Sequence, residues 1–239
     1  MNYLTFGRVG KPVLVFLHGW GGSLISWIST AEAMARIGFY CIVVDFPGFG
    51  QTPEPKTVYG VADYAKEVED LIWSLGIGEL SVIGHSFGGR VAIALSNRTN
   101  VKIKKLVLVD SAGVIPRRGF RYWYKVKKYK RIKKFVEDGK LPMERLKLYG
   151  SKDYQESTAI MKRTFVKVVN EDLLPVAKKV QIPTLLVWGS KDKDTPMYMA
   201  KKLHRAINNS QLVVYNAGHY SYLDNFSEFI EDLYAFMIC

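Results

Sequence analysis

The sequence has few of the features that mark secreted, membrane-spanning or disordered proteins. It holds only two cysteines, Cys41 and Cys239, which give neither a disulfide framework nor the spacing of a metal site. No apolar run reaches the roughly 18–20 residues that a membrane-spanning helix needs. The first residues also lack the charged and then apolar layout of a signal peptide. We therefore expect a protein that works in the reducing environment of the cytoplasm.

Composition and charge limit the classes of protein to consider. Of the 239 residues, 48% are hydrophobic and 23% are charged, as in a globular chain with one main core and room for an insertion. The net charge is +12, and residues 115–175 carry 17 Lys or Arg against 7 Asp or Glu, a net +10. A local excess of this kind indicates one basic face. A nucleic-acid partner is therefore not expected.

Continuous apolar runs alternate with segments of helical periodicity along most of the chain. Such runs are typical of parallel strands that are covered by helices on both faces of the sheet. The sequence therefore predicts an α/β fold. The predicted strands are 13–18, 40–44, 80–83, 105–109, 184–187 and 211–215, and the predicted helices are 26–37, 60–75, 89–97, 196–207 and 221–237.

The alternation breaks once, between residues 110 and 184. A basic and aromatic segment, 117–136, is followed by a helical pattern from about 154 to 169, and no strand is predicted between them. We expect this block to be a helical lid above the strand ends. The predicted division is a core of residues 1–113 and 176–239 with a basic lid insertion of residues 114–175.

One motif joins a predicted strand to a predicted helix by an abrupt turn, with Ser86 at its apex in Gly84-His85-Ser86-Phe87-Gly88. Glycine two residues before and two after the serine removes side chains that would clash in so tight a turn. The following helix directs its N-terminal N–H groups at the same point. We therefore expect Ser86 to be a nucleophile.

A serine hydroxyl needs a general base within hydrogen-bonding reach. Of the four histidines, His219 lies on the loop after the last strand, which can reach the serine. His18 ends a strand and is expected to support the loop beneath the site. The side chain of His85 is expected to point away from the site, and His204, among basic residues on a helix, to be solvated.

The base in turn needs a carboxylate that fixes its tautomer. Asp192 follows the penultimate strand and is the preferred candidate. Asp194, two residues further on, and Asp110, at the end of a neighbouring strand, remain alternatives.

Backbone N–H groups must hold the negative charge of a tetrahedral intermediate. Phe87, at the start of the helix, is expected to supply one donor. Trp20 is expected to supply the other, since Gly19 and Gly21 let its loop run close to the serine. The predicted substrate pocket is bordered by His18, Gly19, Trp123 and Tyr220.

This combination of residues resembles the α/β-hydrolase fold family over essentially the whole chain. The resemblance rests on the order Ser86, Asp192, His219, the serine elbow and the His-Gly-Trp-Gly loop at residues 18–21. It implies a mostly parallel, doubly covered sheet with a small helical lid inserted after the sixth family strand. It also implies a nucleophile, an acid and a base at those three positions, oxyanion donors at Trp20 and Phe87, and no cofactor or metal.

Three further features of the sequence bear on this resemblance. Only some ten residues precede the first buried strand, so the leading hairpin of the family must be shortened to about one strand. Serine at the elbow argues against haloalkane dehalogenases and epoxide hydrolases, which attack with a carboxylate. Gly88-Gly89-Arg90 resembles the menaquinone-pathway lyases of the fold.

Residues 18–21 and 45–50 also resemble the pimeloyl-carrier-protein methyl esterases, which recognise an acidic carrier protein through a basic lid. Three interpretations of the basic lid at 117–134 stay open: a solvated lysine face, docking of an acidic carrier, and attachment to an anionic membrane surface. Its basic residues are Arg117, Arg118, Arg121, Lys125, Lys127, Lys128, Lys130, Arg131, Lys133 and Lys134. Trp123, Val126, Tyr129 (or Lys130), Ile132 and Val136 recur at near-helical spacing and are expected to pack down onto the core.

The sequence thus predicts a hydrolase that cleaves a small-molecule carboxylic ester with an apolar acyl group through an acyl-enzyme. The alternatives are an esterase acting on a carrier-bound acyl group, a lyase that uses the same three residues, and a ligand-binding protein without turnover.

Overall fold

Strands and helices alternate along the computed structural model, which describes residues 1–98, 100, 102–117, 119–148 and 157–239. The strands are β1 (Tyr3–Phe6), β2 (Val13–Leu17), β3 (Tyr40–Val44), β4 (Glu79–His85), β5 (Lys102–Val109), β6 (Thr184–Gly189) and β7 (Ser210–Tyr215). The helices are α1 (Ile28–Arg36), α2 (Val61–Ser74), α3 (Phe87–Leu95), α4 (Phe120–Glu137), α5 (Ala159–Asn170), α6 (Leu174–Ala177), α7 (Met197–Ala206), α8 (Ser221–Asp224) and α9 (Phe226–Ile238). Short 3₁₀ helices span Leu24–Trp27 and Met143–Leu148.

The strands form one seven-stranded sheet in the order β1-β3-β2-β4-β5-β6-β7. All neighbouring pairs are parallel except β1 and β3, which are antiparallel. The predicted α/β architecture and its mostly parallel sheet are therefore confirmed. The single strand β1 takes the place of the shortened leading hairpin that the sequence predicted.

Alternation along the central strands divides the core into two layers. Val15 and Leu17 of β2 face a cluster that includes α2, α3 and α7, whereas Leu14 and Phe16 face a cluster that includes α1 and α9. Successive side chains of a strand point to opposite faces, so a strand buried on both sides must be apolar throughout. This explains the continuous apolar runs in the sequence, and it shows that helices cover both faces.

The segment between β5 and β6 contains α4, the second 3₁₀ helix, α5 and α6, and no strand within its described residues. The helix predicted from about residue 154 begins at Ala159, and residues 149–156 and Arg118 lie outside the described part of the chain. The proposed domain boundaries at residues 114 and 175 stay a prediction. Among the described residues, no helix is both long and apolar enough to cross a membrane.

The closing helix differs from its prediction because it is divided into α8 and α9 at Asn225. That residue has φ −125° and ψ 53°, outside the helical region. Asparagine tolerates such conformations because its side chain competes for backbone hydrogen bonds. The break separates α8, which follows the His219 loop, from α9, which packs on the sheet.

Candidate active site

Ser86 lies at the turn between β4 and α3 in a strained backbone conformation, with φ 51° and ψ −110°. The turn is closed by two glycines that have no room for a side chain. A Cβ on Gly84 would lie 2.5 Å from the Gly88 carbonyl oxygen, and one on Gly88 would lie 2.1 Å from that of Leu17. Backbone strain of this kind persists where the surrounding structure holds it in place, as it does at many functional sites.

Three side chains from three different loops meet at this turn. His219 Nε2 lies 3.0 Å from Ser86 Oγ, and His219 Nδ1 lies 2.8 Å from Asp192 Oδ2. The loops follow β4, β6 and β7, and the carboxyl ends of parallel strands share one edge of the sheet. The serine, the imidazole and the carboxylate therefore form one hydrogen-bonded chain at that edge.

The carboxylate of Asp192 accepts hydrogen bonds at both of its oxygens. Its Oδ1 accepts the backbone N–H groups of Asp194 and Thr195 at 2.8 and 2.9 Å, and its Oδ2 lies 2.6 Å from Thr195 Oγ1. Thr195 was missed by sequence reasoning. The signal was present, because Asp followed three residues later by Thr favours a side-chain-to-backbone turn of this type.

The two alternative acids have other roles in the structure. Asp110 is buried, and its two carboxylate oxygens accept the N–H groups of Gly189 and Ser221 at 2.8 and 2.9 Å. It thereby ties together the loops that follow β6 and β7, and its own φ is 43°. Asp194 is exposed, and its backbone N–H donates to Asp192 Oδ1. Of the three candidates, Asp192 is the one hydrogen-bonded to His219.

Asp192 and His219 shift each other's pKa values. Burial alone would raise the pKa of Asp192, but hydrogen bonds from His219 and Thr195 bring it below its usual value. Burial alone would lower the pKa of His219, but the hydrogen bond and charge of Asp192, aided by Asp110 and Asp194, raise it above its usual value. The pair is thus set to stabilise a proton on the imidazole.

The glycine-rich loop after β2 lies against the elbow. A Cβ on Gly19 would lie 3.4 Å from Ser86 Cβ, and Gly21 has φ +76°. In the described part of the chain, the backbone N–H groups of Trp20 and Phe87 donate to no protein acceptor. Two unused donors therefore flank the elbow, one from the glycine-rich loop and the other at the N-terminus of α3.

The other histidines separate into three environments. His18 is fully buried, with Nε2 accepting the Phe46 N–H at 3.1 Å, and burial lowers its pKa to about 4. His204 is exposed and lies 2.9 Å from Ser210 Oγ. His18 thus supports the loop from below and takes no part in the chain of three residues.

The prediction that His85 points away from the site is wrong. Its Nε2 lies 2.8 Å from the backbone carbonyl oxygen of His219, and the two imidazole rings are 4.9 Å apart. Burial lowers the pKa of His85 to about 3, so the ring is neutral and Nε2–H donates to that carbonyl. The residue next to Ser86 therefore supports the loop that carries His219. Sequence reasoning missed this because it placed the ring by its neighbour in the chain alone.

Aromatic rings crowd around the glycine-rich loop after β2. The Trp20 indole makes edge or tilted contacts with the rings of Phe49, Phe87 and Phe165 at 4.9, 5.2 and 5.1 Å. Phe165 belongs to α5, so the insertion reaches the site here. Of the other predicted pocket residues, Tyr220 is exposed beside His219, with ring centroids 5.6 Å apart, and Trp123 is 56% exposed on α4.

Within the described residues, Asp192, Asp194 and His219 place ligand-type atoms close enough to hold a metal ion. The arrangement does not favour one. A metal on His219 Nδ1 would require loss of the proton that joins this atom to Asp192, and both Asp192 oxygens already accept hydrogen bonds. The residues fit a proton-transfer chain better than a metal site.

Comparison with known proteins agrees with the fold. A family model described as "alpha/beta hydrolase fold" matches residues 12–128, and a second, described as "TAP-like protein", matches residues 163–234. The chain is 27% identical over 92% of its length to 87% of the uncharacterized hydrolase YugF of Bacillus subtilis (strain 168). It is 26% identical over 99% of its length to 80% of Lipase 1 of Psychrobacter immobilis.

A solved structure shares the fold. An esterase from Exiguobacterium antarcticum superposes with a TM-score of 0.78 at 23% identity, over 99% of this chain and 95% of that one. The sheet order, the serine elbow and the matched family model lead to one conclusion: the chain belongs to the α/β-hydrolase fold family.

Proposed function

We propose that this protein is a serine hydrolase that cleaves a carboxylic ester through an acyl-enzyme formed on Ser86. The observation that carries the proposal is the continuous hydrogen-bonded chain from Ser86 Oγ through His219 to Asp192, with separations of 3.0 and 2.8 Å. Proximity and orientation of this kind remove most of the entropic cost of bringing nucleophile and base together. The names of the related lipase and esterase support the same reaction class.

In the first half of the reaction, Ser86 Oγ attacks the ester carbonyl carbon as its proton moves to His219 Nε2. Nε2 can accept because Asp192 holds the other proton on Nδ1, which fixes the tautomer. A bond forms between Oγ and the carbonyl carbon, and the electron pair of the C=O bond moves onto oxygen. When the intermediate collapses, the bond to the alcohol oxygen breaks and His219 gives that oxygen its proton.

The negative oxygen formed in this step needs donors that are already in place. The N–H groups of Trp20 and Phe87 are the proposed donors, because both are unused by protein acceptors in the described residues and both flank the elbow. Each such donor is worth about 3–4 kcal/mol of transition-state stabilisation in comparable sites.

The second half repeats these steps with water. His219 Nε2 removes a proton from water as its oxygen attacks the acyl carbon, and the same N–H groups hold the second oxyanion. The bond from Ser86 Oγ to the acyl carbon then breaks, and Oγ regains its proton from His219. The products are a carboxylic acid and the free enzyme.

The partly exposed rings of Trp20, Phe49 and Phe165 favour an acyl group of low polarity. When an alkyl chain displaces water from these rings, the apolar surface that is buried contributes about 25 cal/mol per Å² to binding.

We expect the reaction to take place in the cytoplasm, because Cys41 and Cys239 are both free thiols.

A lyase with the same three residues is less well supported. The arginine of Gly88-Gly89-Arg90 is buried, and its Nη1 donates to the Glu171 carbonyl oxygen at 2.8 Å. It therefore ties α3 to the end of α5, which leaves its guanidinium engaged in the fold. Burial lowers its pKa to about 10, so it still carries its charge near neutral pH.

Hydrolysis of p-nitrophenyl esters over a series of acyl lengths tests the proposal. We expect turnover that rises with chain length, with a rapid first release of p-nitrophenol when deacylation is slow. Ser86→Ala should lose this turnover while keeping the fold, as circular dichroism would show. Activity that persists in Ser86→Ala would contradict the proposal.

A further inference from the structure

Helix α4 carries a dense positive charge. Between Phe120 and Glu137 it contains eight Lys or Arg residues and one acidic residue. That acidic residue, Glu137, lies 3.7 Å from Lys133 Nζ. Among the described residues this is the one ion pair that a basic side chain of the helix makes, so most of the charge of those side chains acts on their surroundings.

One side of α4 faces the protein. Val126, Tyr129, Ile132 and Val136 are half-buried and lie within about 120° of one another on a helix of 3.6 residues per turn. Trp123 was predicted to continue this stripe, but it is 56% exposed. Three-residue steps drift by about 60° around a helix, so the stripe turns outward by the time it reaches Trp123.

The opposite side, called here the outer face of α4, has a distinct composition. It consists of Phe120, Trp123, Tyr124, Lys127, Arg131 and Lys134, spaced at i, i+3, i+4, i+7, i+11 and i+14. Phe120 and Tyr124 are 85% and 61% exposed. The aromatic rings occupy the N-terminal half and the cations occupy the C-terminal half.

We propose that the outer face of α4 docks the protein on an anionic membrane surface. The rings of Phe120, Trp123 and Tyr124 would lie at the level of the lipid headgroups, and Lys127, Arg131 and Lys134 would contact the lipid phosphates. A basic helix with aromatic residues on its exposed face suits a surface that offers both negative charge and apolar depth. This surface goes beyond the proposed ester hydrolysis and requires no turnover at Ser86.

The same charges would attract an acidic protein, but the aromatic residues favour the membrane. An acidic carrier presents hydrated carboxylates, which would lose water against three large rings without gaining a compensating hydrogen bond from them. At a lipid interface the rings leave water for the acyl boundary while the cations keep their hydration and their counter-charge. The membrane is therefore the partner that uses the whole face.

Sedimentation with lipid vesicles tests the proposal. We expect the protein to bind vesicles of phosphatidylcholine mixed with phosphatidylglycerol, to bind pure phosphatidylcholine far less, and to dissociate as NaCl is raised. Each basic residue near an anionic surface strengthens binding by roughly fivefold. The triple variant Lys127→Glu, Arg131→Glu and Lys134→Glu should therefore weaken binding by at least about a hundredfold.

A matched control carries the same change of net charge elsewhere. Lys11, Lys178 and Lys179 are exposed and lead into β2 and β6, so they lie toward the opposite edge of the sheet. Their reversal to Glu should weaken binding by no more than a few fold. An equal loss in this control would overturn the proposal, because it would show an effect of net charge alone.

A second variant tests the aromatic half. Phe120→Ser, Trp123→Ser and Tyr124→Ser together should reduce vesicle binding by at least about tenfold while circular dichroism and the melting temperature stay unchanged. Full binding by this variant would overturn the proposal. So would a wild-type protein that ignores anionic vesicles yet forms a salt-sensitive complex with acyl carrier protein in gel filtration.

Discussion

Replacement of Asp192 by Asn tests the hydrogen-bonded chain of Ser86, His219 and Asp192 at its least exposed residue. In the structure Asp192 Oδ2 accepts a hydrogen bond from His219 Nδ1–H at 2.8 Å, while Oδ1 accepts two from backbone N–H groups. Asparagine preserves shape and keeps an oxygen at Oδ1 for those two donors. At the other position it places an NH₂ group, which cannot accept from Nδ1–H. The loop should therefore hold its conformation while the imidazole changes its tautomer.

The size of the effect follows from that change. With the proton on Nε2, His219 can no longer accept from Ser86 Oγ, 3.0 Å away. The same substitution in a serine protease triad lowers kcat by about 10⁴, which corresponds to about 5.5 kcal/mol in activation free energy. We expect a comparable fall in kcat/KM for a p-nitrophenyl ester.

The pH profile gives a second measurement on the same variant. The proposed mechanism needs neutral His219, whose pKa is raised in the wild type by Asp192 despite burial. Wild-type kcat/KM should therefore rise with pH through a midpoint above about 6.5, the ordinary histidine value. Without the carboxylate, the residual activity of Asp192→Asn should have its midpoint at lower pH.

Parallel variants serve as controls for the choice of acid. Asp194→Asn should retain most of its activity, because Asp194 contributes its backbone N–H to Asp192 and its own side chain is exposed. If Asp192→Asn kept activity within about tenfold of the wild type, or if Asp194→Asn lost more than Asp192→Asn, the assignment of the acid would be refuted.

Three further substitutions test residues that support Ser86, His219 and the loops around them. Gly88→Ala should lower the melting temperature sharply, since its Cβ would lie 2.1 Å from the Leu17 carbonyl, whereas Gly78→Ala, with no atom within 4 Å, should not. His85→Leu should lower kcat by about tenfold with little change in KM, because it removes the bond to the His219 carbonyl, and His85→Gln, which keeps a donor, should restore much of it. Asp110→Asn, measured by urea denaturation at several pH values, tests the buried carboxylate that joins the loops after β6 and β7. Burial raises the pKa of Asp110 to about 6, so its contribution to stability falls as pH rises from about 4 to 6, and that part of the pH dependence should disappear in the variant.

The fold was predictable because its signals are local. An apolar run such as 40–44 is buried on both faces, and its observed bounds coincide with the predicted ones. Ser86 was identifiable because glycines at fixed distances from it are required by a turn whose geometry allows no side chain. Chain order then placed His219 and Asp192 after the strands whose ends they follow.

The supporting contacts were not predictable, since they join residues far apart in sequence. Asp110 receives bonds from Gly189 and Ser221, about 80 and 110 positions away, and its role depends on how two loops settle around it. His85 reaches a carbonyl 134 positions further along the chain. Trp123 shows a different limit, because a stripe read at three-residue spacing rotates around the helix and ends on the solvent side.

The most direct test is covalent labelling with a fluorophosphonate probe, followed by peptide mapping with mass spectrometry. The reagent reports a serine hydroxyl that is activated by a neighbouring base and faces oxyanion donors. The geometry of Ser86, His219 and Asp192 predicts one adduct on the peptide that contains Ser86, weak labelling in His219→Ala, and none in Ser86→Ala. An unlabelled native protein, or an adduct on another serine, would contradict it.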